Sequence, residues 1–172
     1  MRKVYLDTNI ISACIKHDIQ DGQEMQAVIR IISFWKQGYI ECYTSEDVKK
    51  ELEKIPEKYK KQIDEAQTIW MLLEKSQNFV EKVSRAGWGA VMWGEAPWGG
   101  GVVDVDPVFQ KIRSIFPGEA DQRHIFLAIR NKIEYFVTYD KKTILNQAKE
   151  HEREIQELGI KILSPLEFEN LT

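Results

Sequence analysis

Four acidic residues occupy equivalent places in the pattern of predicted strands and helices. Asp7 and Asp140 come just after short apolar runs, and in open α/β sheets the ligand crevice lies outside the carboxyl ends of the strands. Glu51 and Asp121 fall on the apolar stripes of two predicted helices, near the start of each. A carboxylate on the buried side of a helix is unfavourable unless it is paired or binds a metal. The pattern therefore predicts that four carboxylates meet at one edge of a sheet.

Four carboxylates at one place would have a definite chemistry. They cannot all stay ionised unless cations neutralise them, and ligand sets made only of oxygen select hard ions such as Mg²⁺ or Mn²⁺. A hard divalent ion lowers the pKa of an attacking water and stabilises charge on a leaving oxygen. The predicted site therefore suits the hydrolysis of a phosphodiester.

Each acid also has an ordinary structural explanation when it is considered alone. Asp7 would cap the helix that follows it, which is the commoner role for a single Asp in a turn. Glu51 would reach solvent at the edge of its stripe or pair with a lysine, and Asp121 suits the positive end of a helix dipole. Asp104 and Asp106 resemble a metal pair, but they stand in an irregular segment, and we interpret them as unrelated to the site.

The elements that must position these acids alternate between strands and helices. Four strands are predicted, at Val4–Leu6, Tyr39–Tyr43, Glu134–Thr138 and Ile160–Leu163. Apolar residues at helical spacing predict helices that contain Met25, Val28, Ile29 and Ile32; Val48, Leu52 and Ile55; Tyr59, Ile63, Ala66, Trp70 and Leu73; Ile125, Ala128 and Ile129; and Ile144, Leu145, Ala148, Ile155 and Leu158. This alternation predicts an α/β fold with a mostly parallel sheet and right-handed crossovers.

Local signals mark several boundaries of these elements. Thr44 and Asp47 have the form of a capping box that opens a helix. Pro117 and Gly118 precede the helix that holds Asp121, and Gly159 ends the last long helix. The residues from Pro165 onward are predicted to form a tail.

Length and composition favour one soluble globular domain that spans residues 1–172. The chain has 43% hydrophobic and 30% charged residues, and it contains neither a membrane span nor the apolar core of a signal peptide. We therefore expect a cytoplasmic protein without a membrane contact. Cys14 and Cys42 lack metal-ligand spacing and are predicted to be reduced, buried thiols. The net charge of −3 excludes binding of nucleic acid by bulk electrostatics, so any such contact must be local.

The segment 85–107 differs in composition from the rest of the chain. It carries Trp88, Trp93 and Trp98 among closely spaced glycines, and glycine at that density resists regular structure. We interpret it as an irregular insertion within the domain. Its tryptophans suit self-packing or a subunit contact better than stacking on bases.

Four short motifs resemble those of PIN-domain ribonucleases, in the same order along the chain. They are Val4–Asn9, Thr44-Ser45 with Glu51 six residues after the serine, Glu119-Ala120-Asp121 at the start of a helix, and Val137-Thr138-Tyr139-Asp140. Together they cover most of residues 3–145. The resemblance implies a PIN-like three-layer α/β/α sandwich and a metal-dependent endoribonuclease. It also implies that Asp7, Glu51, Asp121 and Asp140 bind Mg²⁺ or Mn²⁺, with Thr8, Asn9 and Thr138 orienting the carboxylates.

The resemblance extends to partners as well. The expected substrate is RNA, single-stranded in our interpretation, cut by attack of a metal-activated water. Arg123, Lys141 and Lys142 are candidates to contact its backbone, although each would also suit a solvated surface. Many members of the family are toxins of toxin–antitoxin pairs, so an antitoxin protein is one partner that the resemblance implies. We also expect a homo-oligomer.

Two other functions compete with the ribonuclease. A PIN-like module that keeps its acids but cleaves nothing would bind RNA or protein. A receiver or phosphatase-like α/β domain built on Asp7 is the weaker alternative, because phosphoryl acceptance does not require carboxylates at Glu51 and Asp121. Binding of Mn²⁺ without cleavage of RNA would favour the first alternative, and phosphorylation of Asp7 would favour the second.

Overall fold

The computed structural model describes residues 1–16, 22–45, 47–48 and 106–171, and these residues form an α/β fold. Their four strands make one sheet in which every neighbouring pair is parallel and the order is β2-β1-β3-β4. The strands are β1 (Arg2–Leu6), β2 (Ile40–Tyr43), β3 (Tyr135–Val137) and β4 (Lys161–Leu163). The predicted α/β class and the parallel sheet are therefore confirmed, and the architecture is compatible with a three-layer α/β/α sandwich.

Strand β1 is an interior strand because of its residue types. Val4, Tyr5 and Leu6 are at most 2% exposed, and such a continuous apolar run is typical of a strand that is covered on both faces. It pairs with β2 on one side and with β3 on the other. The chain therefore leaves β1 toward one edge of the sheet and later returns to its other side. The order of the strands reverses between β1 and β3, where open α/β sheets form a ligand crevice.

Seven α-helices and one π-helical turn accompany the sheet in the described residues. The helices are α1 (Thr8–Lys16), α2 (Gly22–Lys36), α3 (Pro107–Ile115), α4 (Glu119–Arg130), α5 (Asn146–Glu150), α6 (Glu152–Glu157) and α7 (Pro165–Glu169), and the π-helical turn is Lys141–Leu145. The described part of the chain contains no helix with the length and apolar character needed to span a membrane.

The buried face of α2 differs from the predicted one. The pattern predicted burial of Met25, Val28, Ile29 and Ile32, whereas the buried residues are Glu24, Ala27, Val28 and Ile31. Both sets have the i, i+3, i+4, i+7 spacing of one helix face, and the observed set is shifted by one residue toward the amino end. Ile29 is consequently 51% exposed.

Two predictions for the carboxyl-terminal region were wrong. The predicted single helix is divided into the π-helical turn, α5 and α6, with a break at His151, although it does end before Gly159, whose φ is +79°. The predicted tail is helix α7, which begins with Pro165 in its first turn and has a capping box between Ser164 and Glu167. Proline is well suited to the first turn of a helix because its φ is already helical and its missing N–H is not needed there.

Several predictions concern residues that the structure does not describe. Residues 47–48 are helical and Val48 is buried, as predicted, but Glu51 and the rest of its helix lie outside the described ranges. The helix from Tyr59 to Leu73 and almost all of the segment 85–107 lie outside them as well. The last two residues of that segment are the N-cap Asp106 and the first residue of α3, a helix that the sequence pattern did not predict. The predicted cap at Thr44 was wrong, because its hydroxyl is buried and has no hydrogen-bond partner in the described structure.

Candidate functional site

Asp7 lies at the point where the strand order reverses. Its backbone N–H donates to the Val137 carbonyl at 3.1 Å, which extends the pairing of β1 with β3 by one step. The carboxylate is 5% exposed. Its Oδ1 accepts the Thr8 backbone N–H at 2.7 Å, and its Oδ2 accepts from Asn9 Nδ2 and from the Thr138 hydroxyl, both at 2.7 Å. Residues that follow β1 and β3 therefore hold this carboxylate in one orientation.

Thr138 is the residue that connects Asp7 to the end of β3. Its only hydroxyl proton is donated to Asp7, while its oxygen accepts from Asn9 Nδ2 at 2.8 Å and from the Asp140 backbone N–H at 3.1 Å. A threonine hydroxyl offers one donor and two acceptor sites, so all of them are used. Asn9 completes the arrangement by accepting the Tyr139 backbone N–H at 2.9 Å.

Burial changes the acid strength of Asp7. Loss of solvent is the largest cause, and it raises the pKa of this carboxyl from its ordinary value of 3.8 to about 6. The charge of His124 and the hydrogen bonds from Thr138 and Thr8 oppose this rise, whereas the negative charge of Asp121 adds to it. The charge of Asp121 therefore acts on the Asp7 carboxyl. An added cation would favour the ionised form of Asp7.

Asp140 follows β3 and caps the π-helical turn. Its Oδ1 accepts the Thr143 backbone N–H at 2.7 Å, and its Oδ2 accepts the Thr143 hydroxyl at 2.6 Å. The same hydroxyl oxygen lies 3.4 Å from Asp121 Oδ2. Asp140 and Asp121 are both half-buried. Thr143 therefore joins the acid after β3 to the acid on α4.

Asp121 is held at the amino-terminal end of α4 by its surroundings. It lies in the first turn of the helix, and the N-cap residue is Gly118. A Cβ atom at Gly118 would lie 3.1 Å from Asp121 Cγ and would overlap the carboxylate. The glycine therefore allows the close approach of this carboxylate to the backbone, a requirement that the Pro-Gly pair in the sequence did not reveal.

A buried chain of polar side chains lies beside these acids. The Tyr5 hydroxyl donates to Ser45 Oγ at 2.7 Å and lies 2.8 Å from His124 Nδ1. Which partner donates in this second bond depends on the tautomer of His124. Tyr5 is fully buried, His124 is 2% exposed, and the Tyr5 ring stacks on Phe136 with centroids 5.3 Å apart. This chain connects β1, α4 and the end of β2.

Sequence reasoning missed the contacts of Tyr5, His124 and Thr143, although each of them carried a signal. Tyr5 stands two residues before Asp7, and His124 stands three after Asp121, so each shares a face with a candidate acid. Thr143 stands three residues after Asp140, which is the spacing of an N-cap with its partner.

The structure brings together three of the four predicted acids. Asp7, Asp121 and Asp140 lie at the carboxyl edge of the sheet, while Glu51 is outside the described residues. Thr8, Asn9 and Thr138 all bond to Asp7, as expected of orienting residues. The exposed basic candidates are Arg123, Lys141 and Lys142. Asp106 instead caps α3 by accepting the Val108 N–H at 2.9 Å, and it pairs with Arg130.

The carboxylate oxygens of these acids are suitable ligands for a hard cation, but the fourth predicted acid, Glu51, lies outside the described residues. Asp7 Oδ1 and both oxygens of Asp140 each accept one hydrogen bond within the described residues, and a carboxylate oxygen can accept two. Lone pairs therefore remain on two of the acids. Among the residues that the structure describes, however, no three His, Cys, Asp or Glu side chains are grouped closely enough to hold a metal ion.

Comparisons with known proteins do not assign the chain to a family. No protein-family model matches it, and no curated protein matches it either.

Proposed function

We propose that this protein is a PIN-like endoribonuclease that requires Mg²⁺ or Mn²⁺. One observation carries the proposal: three acids from three separate elements lie in one series of polar contacts at the carboxyl edge of a parallel sheet. Thr138 donates to the Asp7 carboxylate and accepts the backbone N–H of Asp140. The Asp140 carboxylate accepts the Thr143 hydroxyl, whose oxygen lies 3.4 Å from Asp121 Oδ2. This series of contacts lies where the strand order reverses, which is the place where α/β folds of this kind bind ligands.

The acids would hold the cation, and their neighbours would keep them aimed at it. Asp7, Asp121 and Asp140 would be ligands, with Glu51 as the fourth. A bound Mg²⁺ or Mn²⁺ supplies acidity to a coordinated water and offsets charge on the leaving oxygen. Asn9 and Thr138 restrict Asp7 to one orientation through the two bonds to its Oδ2. Such outer hydrogen bonds make a site rigid before the ion arrives.

Basic side chains near the acids suit contact with a phosphate backbone. Lys141 and Lys142 directly follow Asp140, Arg123 stands two residues after Asp121, and all three are exposed. Backbone contacts of this kind position a nucleic acid without reading its sequence. Since the chain carries a net charge of −3, these local cations would have to oppose the repulsion of the whole molecule. Single-stranded RNA as substrate, an antitoxin partner and self-association belong to the same proposal.

A cleavage assay tests the proposal. The purified protein is incubated with a pool of single-stranded RNA and Mg²⁺ or Mn²⁺, and the products are resolved by length. We expect cleavage that a chelator abolishes and that Asp7→Asn, Asp121→Asn and Asp140→Asn each lose. Glu119→Gln is the matched control, because Glu119 is an exposed acid in the same helical turn as Asp121. Cleavage that survives all three Asn variants would exclude this mechanism.

The alternative is a PIN-like module that binds RNA or protein without cleavage. The described residues do not include a group of three acids arranged to hold a metal ion. Calorimetry with Mn²⁺ separates the two functions when it is combined with the cleavage assay. Binding of Mn²⁺ that Asp7→Asn removes, with no cut in any RNA pool, would favour the module.

A further inference from the structure

Three residues connect β3 to the π-helical turn, and they are Thr138, Tyr139 and Asp140. The Tyr139 N–H donates to Asn9 Oδ1 at 2.9 Å, and the Asp140 N–H donates to the Thr138 hydroxyl at 3.1 Å. Both acceptor groups, the Asn9 amide and the Thr138 hydroxyl, donate in turn to Asp7 Oδ2. The backbone of this connection is therefore tied to the orientation of the Asp7 carboxylate.

The side chain of Tyr139 extends from this connection to helix α2. Tyr139 is half-buried, and its hydroxyl donates to the Glu24 backbone carbonyl at 2.9 Å. Glu24 lies in the first turn of α2, is 6% exposed, and binds the Leu166 N–H through its carboxylate. The phenol is thus attached to a buried, well-held point of the fold, while the backbone N–H of the same residue contacts Asn9.

The contact with Tyr139 determines which way the Asn9 amide faces. A backbone N–H can only donate, so it requires the amide oxygen, and Nδ2 then faces Asp7 Oδ2 at 2.7 Å and the Thr138 hydroxyl at 2.8 Å. Rotating the amide by half a turn would bring its NH₂ against the Tyr139 N–H and its oxygen against the Asp7 carboxylate. Both contacts would be repulsive. The Tyr139 N–H therefore selects the amide orientation that donates to Asp7.

We propose that Tyr139 is a positioning residue. Its phenol, anchored on α2, holds its backbone N–H against Asn9 Oδ1, and the Asn9 amide then orients the Asp7 carboxylate. This inference rests on the proposed function, because it gives the orientation of Asp7 a part in RNA cleavage. The competing explanation is that the Tyr139 hydroxyl only fastens the end of β3 to α2 and contributes to stability.

Three substitutions separate these two roles. Tyr139→Phe removes the phenol hydroxyl but keeps the ring and the backbone N–H. Tyr135→Phe is the matched control, because it removes the hydroxyl of another half-buried tyrosine, four residues earlier in β3. Asn9→Ala removes the amide through which Tyr139 would act. If Tyr139 acts through Asn9, Tyr139→Phe should have no further effect on cleavage once the amide is absent.

The first measurement is NMR spectroscopy of the Asn9 side-chain amide in the whole protein. A chelator is present, the signals are assigned with Asn9→Ala, and the temperature is one at which every variant is folded. We expect Tyr139→Phe to shift or broaden the two Nδ2 proton signals and Tyr135→Phe to leave them unchanged. A loss of stability alone would not move the signals of the folded state. If Tyr139→Phe does not fold, Tyr139→Met removes the same hydroxyl and takes its place.

The second measurement is the single-turnover rate of RNA cleavage. We expect Tyr139→Phe to lower the rate by about 10-fold, because a small displacement of a reacting group is costly in rate. Tyr135→Phe should leave the rate unchanged. In the Asn9→Ala background, Tyr139→Phe should cause no additional loss.

The outcomes distinguish this inference from the proposed function. Absence of cleavage by the unmodified protein would overturn the ribonuclease, and the Asn9 signals would then still test whether Tyr139 orients the amide. Where the unmodified protein does cleave RNA, unchanged Asn9 signals or an unchanged rate in Tyr139→Phe would overturn only the role of Tyr139. A rate loss from Tyr139→Phe that is equally large with and without the Asn9 amide would overturn it as well.

Discussion

Two carboxylates are buried almost equally in the described part of this molecule, but their surroundings differ. Asp7 is 5% exposed and Glu24 is 6% exposed. Glu24 lies on α2, and its Oε2 accepts the Leu166 backbone N–H at 3.0 Å, which joins α2 to α7. Asp7 lies at the reversal of the strand order, with Asp121 and Asp140 in the same series of polar contacts. Burial of an acid therefore does not by itself mark a functional site. What distinguishes Asp7 as a candidate site residue is its position in the topology and the other acids near it.

The hydrogen-bond partners of the two acids also differ. Glu24 accepts a bond at the start of a helix, and its own carbonyl accepts the Tyr139 hydroxyl at 2.9 Å, so it ties together parts of the fold. Asp7 receives its bonds from Thr8, Asn9 and Thr138, which are themselves part of the candidate site. Replacing each acid should accordingly have different consequences.

The largest expected difference is in RNA cleavage. Asp7→Asn should lower the metal-dependent rate by at least about 100-fold, since a catalytic ion contributes several kcal/mol and each tenfold in rate is about 1.4 kcal/mol. Glu24→Gln should leave the rate within a few-fold, because the amide oxygen can still accept the Leu166 N–H. Rates are measured under single-turnover conditions with saturating Mn²⁺. Equal losses of cleavage rate in Asp7→Asn and Glu24→Gln would show that the two acids do not differ in their role in cleavage.

The second difference is in the dependence of stability on pH. Folding raises the pKa of Asp7 from 3.8 to about 6, so between these values the folded protein binds a proton that the unfolded chain has released. The stabilisation from this acid is therefore complete below about pH 4 and is lost as the pH rises through about 6. The unfolding free energy of the unmodified protein relative to Asp7→Asn should fall by about 3 kcal/mol across this range.

Urea unfolding of both proteins from about pH 4 to pH 7.5, with a chelator present, measures this difference. The other acids titrate in both proteins, so their contributions cancel when one free energy is subtracted from the other. A relative stability that stays flat with pH would show that Asp7 is not the buried acid described above.

A smaller effect should follow from removal of Glu24. Glu24→Ala leaves the Leu166 N–H without its acceptor, and an unsatisfied buried group costs about 1–3 kcal/mol. The loss should appear as a lower urea midpoint with unchanged affinity for Mn²⁺. Glu24→Gln is the matched control and should lose less. Reduced Mn²⁺ binding by Glu24→Ala at a temperature where it is fully folded would contradict the assignment of Glu24 to the fold.

The smallest effect is expected at Asp106, an acid with a well-defined structural role. Asp106→Ala removes the N-cap of α3 and should cost about 1 kcal/mol. The ion pair with Arg130 adds little, because the arginine side chain is 42% exposed. Affinity for Mn²⁺ should not change. A Mn²⁺ affinity lowered as much as in Asp7→Asn would instead place Asp106 in the site.

Strands were predictable from this sequence because their signal is local. Val4–Leu6 and Tyr135–Val137 are short apolar runs, and each is a strand of the buried sheet. The same pattern predicted that Asp7 and Asp140 lie just after the ends of these two strands. The buried face of α2 was harder, because Ala27 and Glu24 replace larger apolar residues there, and apolarity alone favoured Ile29.

The contacts inside the site were not predictable, because they join residues far apart in the sequence. Tyr5 and His124 are 119 positions apart, and no local pattern shows that a strand tyrosine will meet a helix histidine. Helix α7 was missed for a different reason. Pro165 was interpreted as the end of regular structure, although Ser164 and Glu167 form the start signal of a helix.

The position of β1 between β2 and β3 has a consequence for biosynthesis. A ribosome produces Asp7 long before Thr138, whose hydroxyl bonds to it across 131 positions. The nascent chain therefore carries this carboxylate without its partners until β3 has emerged and docked. Contacts between such distant residues also delay folding, because a long stretch of chain must be ordered before they can form. Any fragment that ends before Tyr135 would contain the aspartate but lack the crevice around it.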